Sequence, residues 1–280
     1  MKIINSIENF RFWRKKINGT LGFIPTMGAL HDGHISLIKA SQKKCKNTVV
    51  SIYINPLQFS PTEDLDTYPK NFENDLEILS QLKIDAIFFP NDLMMYPDFF
   101  STMVEETKLS TVLEGKSRPT FFKGVTTVVV KLFNIVKPTH VFFGQKDAQQ
   151  LLIIKKIIND LAYDIELIAC PIIRDNNGLA LSSRNQYLSD ENKKLASLIY
   201  NSLEVGRKML EAGERNANLI KERIIIALNK KNIFKVDYIS ISNVNTLSEI
   251  ADEVDGDILV SIAVFIEGIR LIDNFQFFID

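Results

Sequence analysis

Leu21-Gly22-Phe23-Ile24-Pro25-Thr26-Met27-Gly28-Ala29-Leu30-His31-Asp32-Gly33-His34 decides the reading of this chain. A short apolar run ends at Ile24, a Pro/Gly turn follows, and two histidines stand three residues apart. Ile35, Leu37 and Ile38, ahead of the mostly polar positions 39–46, predict an amphipathic helix over 35–45. Strand, glycine-containing turn and helix N-terminus together make a phosphate cradle. The amides of a first helical turn have no internal partner, and the helix dipole favours negative charge there. Gly28 and Gly33 would let the backbone approach an anion, and His31 and His34 can point two imidazole donors at it. A plain surface turn would also account for two such histidines. Structural zinc normally takes four ligands, and the only other histidine is His140, with Cys45 and Cys170 far apart in sequence.

Outward from this stretch, short apolar runs alternate with helical patterns. Strands are expected at 21–25, 48–54, 86–90, 140–143 and 165–170, and helices at 35–45, 72–82, 125–136 and 147–161. Near-continuous apolar strands joined by helical crossovers indicate an α/β fold, a Rossmann-like parallel sheet covered on both faces. Ligands of such sheets bind beyond the carboxyl ends of the strands. The turn at 25–34, Asn55-Pro56-Leu57-Gln58-Phe59 and Gly144-Gln145-Lys146-Asp147 all fall there. After Asn176-Asn177-Gly178, a turn signal, two long helical patterns (190–212 and 217–230) precede short strands at 236–241, 258–265 and 269–272. The expected division is a first domain over 1–176 and a smaller C-terminal α+β domain over 177–280 that closes over the active site.

The chain has 280 residues, 46% of them hydrophobic and 24% charged, as in a globular protein with a substantial core. A net charge of −1 leaves no basic footprint for nucleic acid or an acidic membrane, so any anion site is local. Met1-Lys2-Ile3-Ile4-Asn5 lacks the apolar stretch of a signal peptide, and no run reaches the roughly 18 apolar residues of a membrane span. Two cysteines without a ligand-type spacing fit a reducing compartment. The expected location is cytoplasmic.

Several polar residues on separate elements suit anion chemistry, each beside a plainer alternative. Lys146 follows an apolar strand and a glycine, while Asp147 is equally an N-cap. Arg184, in Ser182-Ser183-Arg184-Asn185, is suited to a bidentate phosphate clamp, though such a loop is also an ordinary interdomain turn. Gln58 and Gln150 can donate to a carboxylate and accept from a hydroxyl, or simply be polar positions on a loop and a helix. Asp64, Asp66 and Asp75 read as turn or helix-surface carboxylates, so no metal ligand is named. The Val/Phe-rich helix at 125–136 reads as core or in part an oligomer contact.

Pro25-Thr26-Met27-Gly28-Ala29-Leu30-His31-Asp32-Gly33-His34 resembles the HxGH signature of the nucleotidyltransferase superfamily, in the form characteristic of the pantothenate synthetase family. The resemblance continues in order through 51–59, 64–69, Arg118-Pro119, 124–129, 131–136, 143–150 and 178–185, nearly the whole chain. It implies ATP-dependent condensation of pantoate with β-alanine through a pantoyl adenylate, with release of pyrophosphate and then AMP. It also implies Mg²⁺ with ATP as substrate, small-molecule partners only, and a homodimer. Carried over by residue, it implies His34 as proton donor, with His31, Lys146 and Arg184 as the other catalytic residues. ATP would lie along Met27, Gly28, Ala29, Leu30, His31, Asp32, Gly33, His34, Gly144, Gln145, Lys146, Asp147, Ile173, Leu181, Ser182, Ser183 and Arg184, and pantoate and β-alanine against Gln58 and Gln150.

Two positions depart from the family pattern. Gln145 stands where the family usually has glutamate, which keeps hydrogen bonding and removes a charge. Phe121 stands where a histidine is common, and no catalytic role is assigned to it. Two other functions remain open on sequence. One is a nucleotidylyltransferase that stops at a stable nucleotidylated product, against which the 55–59 and 144–150 motifs speak. The other is a non-catalytic nucleotide sensor, against which the His31/His34/Lys146/Arg184 set speaks.

Overall fold

Six short apolar runs become the strands of one parallel sheet in the computed structural model, which describes residues 1–61, 63–231 and 233–279. Thr62 of the expected first domain, and Asn232 and Asp280 of the second, lie outside the described residues. The strands are β1 (Lys2–Ile4), β2 (Leu21–Thr26), β3 (Asn47–Ile52), β4 (Ala86–Phe88), β5 (His140–Gly144) and β6 (Glu166–Cys170). Their order is β1-β4-β3-β2-β5-β6, with every pairing parallel. From β2 the chain steps to β3 and β4 on one side, whereas β5 and β6 extend the other, so a switch point lies between β2 and β5.

The connecting helices are α1 (Ile7–Lys15), α2 (Asp32–Lys44), α3 (Phe72–Gln81), the single turns α4 (Asp92–Met95) and α5 (Glu114–Ser117), α6 (Phe121–Val136) and α7 (Ala148–Asp160). Every residue of β3 is buried, as a sheet covered on both faces requires. Ile24, Val50, Ile87 and Phe142 of the sheet pack with Leu37 and Ile38 of α2 and Leu79 of α3. Most of α6 is buried, so the Val/Phe-rich helix is core. It stops at Val136 because Lys137 turns left-handed at φ 49° and Pro138 cannot continue a helix.

Further along, α8 (Asp190–Glu211) and α9 (Ala217–Leu228) pack with the antiparallel sheet β7 (Lys235–Asn243), β8 (Ile258–Ile266) and β9 (Ile269–Phe277) around Leu203, Ile220, Ile224 and Ile262. The chain divides into two compact units, Met1–Gln145 with Gln150–Pro171, and Lys146–Gln149 with Ile172–Asp280. The division falls ahead of Asn176 because Arg174 bridges back to Ala180, which joins positions 172–176 to the hairpin that follows them.

The differences from expectation are local. β1 and α1 were not expected. The first is a three-residue edge strand, too short for a period to register. The second buries only Phe10 and Trp13 behind a Ser6 cap. Helix α2 begins at Asp32 rather than 35, and α6 at Phe121 rather than 125. β9 runs on to Phe277 because Asp273 and Asn274, polar by type, are buried within it.

Candidate active site

Strand pairing brings three of the expected loops to the carboxyl ends of three neighbouring strands. The Asn55–Gln58 turn follows β3, the two-histidine turn follows β2, and Gly144 closes β5. After β2 the chain turns through Gly28 at φ 84° and Ala29 at φ 50°. Ala29 occupies a region that residues with a β-carbon seldom enter, so something must hold it. Asp75 of α3 does so: its carboxylate accepts from the Ala29 and Leu30 amides at 2.9 and 2.7 Å. Asp75 is 1% exposed and not the helix-surface carboxylate its sequence context suggests. Burial pushes its carboxyl above the ordinary range, and the two amide bonds pull the other way.

His31 is the N-cap of α2, a role its residue type does not advertise. Its Nδ1 accepts from the Gly33 amide at 3.1 Å, and the His34 Nδ1 accepts from the His31 amide at 3.4 Å, a reciprocal capping box built from imidazoles. This is why α2 starts early and carries both histidines in or beside its first turn. An N–H can only donate, so each Nδ1 supplies a lone pair and the ring proton sits on Nε2. The rings lie 4.2 Å apart, centroid to centroid.

The glycines serve this loop differently from the expectation. A β-carbon at Gly33 would fall 2.7 Å from the His31 ring, so Gly33 makes room for the cap. The amides of Gly28, Ala29, Leu30, His31 and Gly33 all donate to protein acceptors, Gly28 to Thr26 Oγ1. An anion arriving here would meet the imidazoles and the α2 dipole more than a ring of loop amides.

Beyond β3, Asn55 is 1% exposed and donates to the Gln58 Oε1 at 2.9 Å and the Gly124 carbonyl at 3.1 Å. Arg118 grips the same turn. It forms a two-pronged pair with Glu63 at 2.6 and 2.7 Å and donates to the Gln58 carbonyl at 3.1 Å. Phe121 lies beneath the Arg118 guanidinium at 3.7 Å, so the residue that departs from the family pattern supports this clamp through a cation–π contact. Gly124 sets how closely α6 approaches, since a β-carbon there would lie 2.0 Å from the Leu57 carbonyl oxygen. Gly124→Ala is therefore expected to destabilise by about 1–3 kcal/mol, read as a lower thermal midpoint. An unchanged midpoint would mean the two segments part freely.

In the second unit, Lys146 and Asp147 lie in a 3-10 turn over Gln145–Asp147 that leads into α7, and their side chains pair at 3.3 Å. Asn274 of β9 donates to the Lys146 carbonyl at 2.9 Å. Ile173 accepts from the Leu181 amide at 2.9 Å, so these two expected ATP residues face each other across a hairpin. Ser182 then caps a 3-10 turn over Ser183–Tyr187 by accepting from the Arg184 amide. The hairpin is anchored by Arg174, which pairs with buried Asp273 at 2.5 and 2.9 Å and donates to the Gly178 carbonyl. Sequence reading assigned no role to Asp75, Arg118, Arg174 or Asn274, because each acts through a partner far away in the chain. Gln150 sits in the first turn of α7, half-buried, in the first unit.

Among the described residues, no cluster of three or more His, Cys, Asp or Glu forms a metal cage. With Asp75 committed to amides and Asp66 exposed, the donor set suits a cation that arrives on phosphate oxygens and waters. Cys45 and Cys170 are free and buried. No described helix is long and apolar enough to cross a membrane.

A family model for pantoate-beta-alanine ligase matches residues 2–276. The chain is 46% identical over 260 residues to the pantothenate synthetase of Caldicellulosiruptor saccharolyticus, covering 93% of this chain and 92% of the relative. Its structure is similar to that of the pantothenate synthetase of Thermus thermophilus, with a TM-score of 0.93 and 37% identity over 98% of this chain and 99% of that one. It is also similar to a pantoate-beta-alanine ligase from Francisella tularensis solved with beta-gamma ATP and beta-alanine. There the TM-score is 0.81 and the identity 35%, over 98% of this chain and 97% of the other.

Proposed function

This chain belongs to the pantoate-beta-alanine ligase family, and we propose that the turn between β2 and α2 is where its ATP and pantoate become a pantoyl adenylate. The protein is an ATP-dependent ligase that condenses pantoate with β-alanine to pantothenate. Pantoate's carboxylate is ionised at neutral pH, so its attack on the α-phosphorus needs no general base. It needs alignment, and donors for the charge that builds on the phosphoryl oxygens and the departing pyrophosphate. The β-alanine amine then attacks the acyl carbon, the bond to the AMP oxygen breaks, and pantothenate and AMP leave.

The observation that carries this reading is the pair of imidazoles at the start of α2, each using Nδ1 as a backbone acceptor and keeping its proton on Nε2. Two fixed donors at the positive end of a helix suit a phosphate that gains charge. His34 is the proposed proton donor to the phosphate oxygens and His31 the second donor. Lys146 and Arg184 are the proposed cations for the triphosphate. The nucleotide is assigned to Met27–His34, Gly144–Asp147, Ile173 and Leu181–Arg184, and pantoate and β-alanine to Gln58 and Gln150. Ligases of this kind generally use a divalent cation; Mg²⁺ brought by ATP would supply charge neutralisation here. Free buried thiols support a reducing cytoplasm. A homodimer is the assembly proposed from the family resemblance, and Phe12, Leu93 and Phe99 are exposed apolar side chains that such an assembly could cover.

The test supplies ATP, Mg²⁺ and pantoate, and follows pyrophosphate and AMP with and without β-alanine. Pantoate-dependent ATP–pyrophosphate exchange is expected without the amine, and AMP with amide product only in its presence. Folded protein that shows no exchange would overturn the adenylate.

A further inference from the structure

The Gln58 amide has two faces, and its neighbours leave no choice about which one meets a ligand. Asn55 Nδ2 donates to the Gly124 carbonyl, an obligate acceptor, which fixes the Asn55 amide with its nitrogen on that side. The second Nδ2 proton goes to the Gln58 Oε1 at 2.9 Å. The Asn55 Oδ1 on the opposite side accepts from the Tyr96 hydroxyl at 2.7 Å and, more weakly, from the Leu57 amide at 3.4 Å. With Gln58 Oε1 engaged by Asn55, the Gln58 side chain is oriented with its Nε2 donors facing away from Asn55.

We infer that Tyr96 is a positioning residue for substrate binding: through Asn55 it holds Gln58 so that an acceptor oxygen of pantoate meets Nε2 and not Oε1. This rests on the assignment of Gln58 to pantoate. Tyr96 suits the role because its donor is permanent. Burial, with Asp92 adding to it, raises the Tyr96 hydroxyl well above its ordinary value, so it stays protonated. Tyr53 cannot replace it, since the Tyr53 hydroxyl donates to Asp92 at 3.0 Å. The Tyr96 ring is held independently of its hydroxyl, edge-on to Phe100 at 5.0 Å and beside the Lys131 ammonium at 5.5 Å. Lys131 of α6 also donates to the Met95 carbonyl and ties this segment down. Removing the hydroxyl alone therefore leaves the packing in place and a buried Asn55 oxygen short of its strong donor.

The experiment compares Tyr96→Phe, Gln58→Ala and the double variant in steady state, with thermal midpoints measured alongside. Tyr96→Phe is expected to raise the KM for pantoate about tenfold, the scale of one lost hydrogen bond to a buried acceptor, with the KM for ATP nearly unchanged and the midpoint lower by only a few degrees. In the Gln58→Ala background the same substitution should add nothing, because the residue it acts through is gone. An equal rise in that background, or equal rises for pantoate and ATP, would overturn the inference. If Gln58→Ala raises the pantoate KM and Tyr96→Phe does not, the positioning role fails alone. If Gln58→Ala leaves the pantoate KM unchanged, the assignment of Gln58 fails and the inference falls with it.

Discussion

Replacing His34 with alanine is expected to lower pantoate-dependent ATP–pyrophosphate exchange by at least about a hundredfold, the effect of removing one preorganised donor from developing charge. The thermal midpoint should move by only about 1–3 °C. These two readouts separate because His34 contributes little to stability. Its Nδ1 accepts from the His31 amide at a long 3.4 Å, while α2 is anchored by buried Leu37 and Ile38. A weak cap of this kind is worth no more than about 1 kcal/mol, and alanine is a good helix former in its place. His34→Gln, whose amide nitrogen reaches about as far as Nε2, should recover part of the exchange. Exchange retained within tenfold in His34→Ala would remove this histidine from the chemistry. A large fall in the midpoint would assign it a structural role instead.

Asp75→Ala is expected to lower both stability and activity. Two amides, those of Ala29 and Leu30, would be left without an acceptor in a place where Asp75 itself is 1% exposed. At about 1–3 kcal/mol for each unpaired buried group, the combined loss is a large part of a typical folding free energy. The activity loss follows from the same bonds. They hold Ala29 at φ 50°, and with it the direction in which His31 and His34 leave the strand. Asp75→Asn keeps one acceptor oxygen but turns an NH₂ toward the other amide, so it should fall between wild type and alanine in both midpoint and exchange rate. An alanine variant as active and stable as wild type would sink this account.

Acid should act on Asp75 in two opposing ways. Because burial raises its folded value above the unfolded one, the folded state binds the proton more tightly. The proton-linked part of its stability contribution is thus absent at neutral pH, grows as pH falls through the folded value, and is complete below the unfolded one, on top of the amide bonds themselves. Activity moves the other way, since a protonated carboxyl accepts well from only one of the two amides. The difference in midpoint between wild type and Asp75→Asn should therefore shift in favour of wild type as the pH is lowered into the carboxylate range.

Much of the scaffold was legible in the chain because the signals are local. The run at 21–25 became β2, and 140–143 and 165–170 became β5 and β6 within a residue or so, since fully buried parallel strands are unbroken apolar runs. The three loops were placed correctly at strand ends for the same reason. Helix starts were less legible. Position 32 opens α2 because two imidazoles cap it, and histidine is not counted among capping residues.

What the sequence determined by itself, then, is the parallel α/β scaffold, its antiparallel companion sheet, and the order of motifs that marks the family. Apolar periodicity and short motifs act over a few residues, so they survive without knowledge of neighbours. Only the tertiary structure decided which groups hold the candidate site in place. Asp75 reaches Ala29 across 46 positions, Tyr96 reaches Asn55 across 41, and Asn274 reaches Lys146 across 128. Each of these side chains is polar yet partly or wholly buried, a state that is stable only when its partner is in place. Strand order and helix packing set those partners, and no local window of sequence contains them.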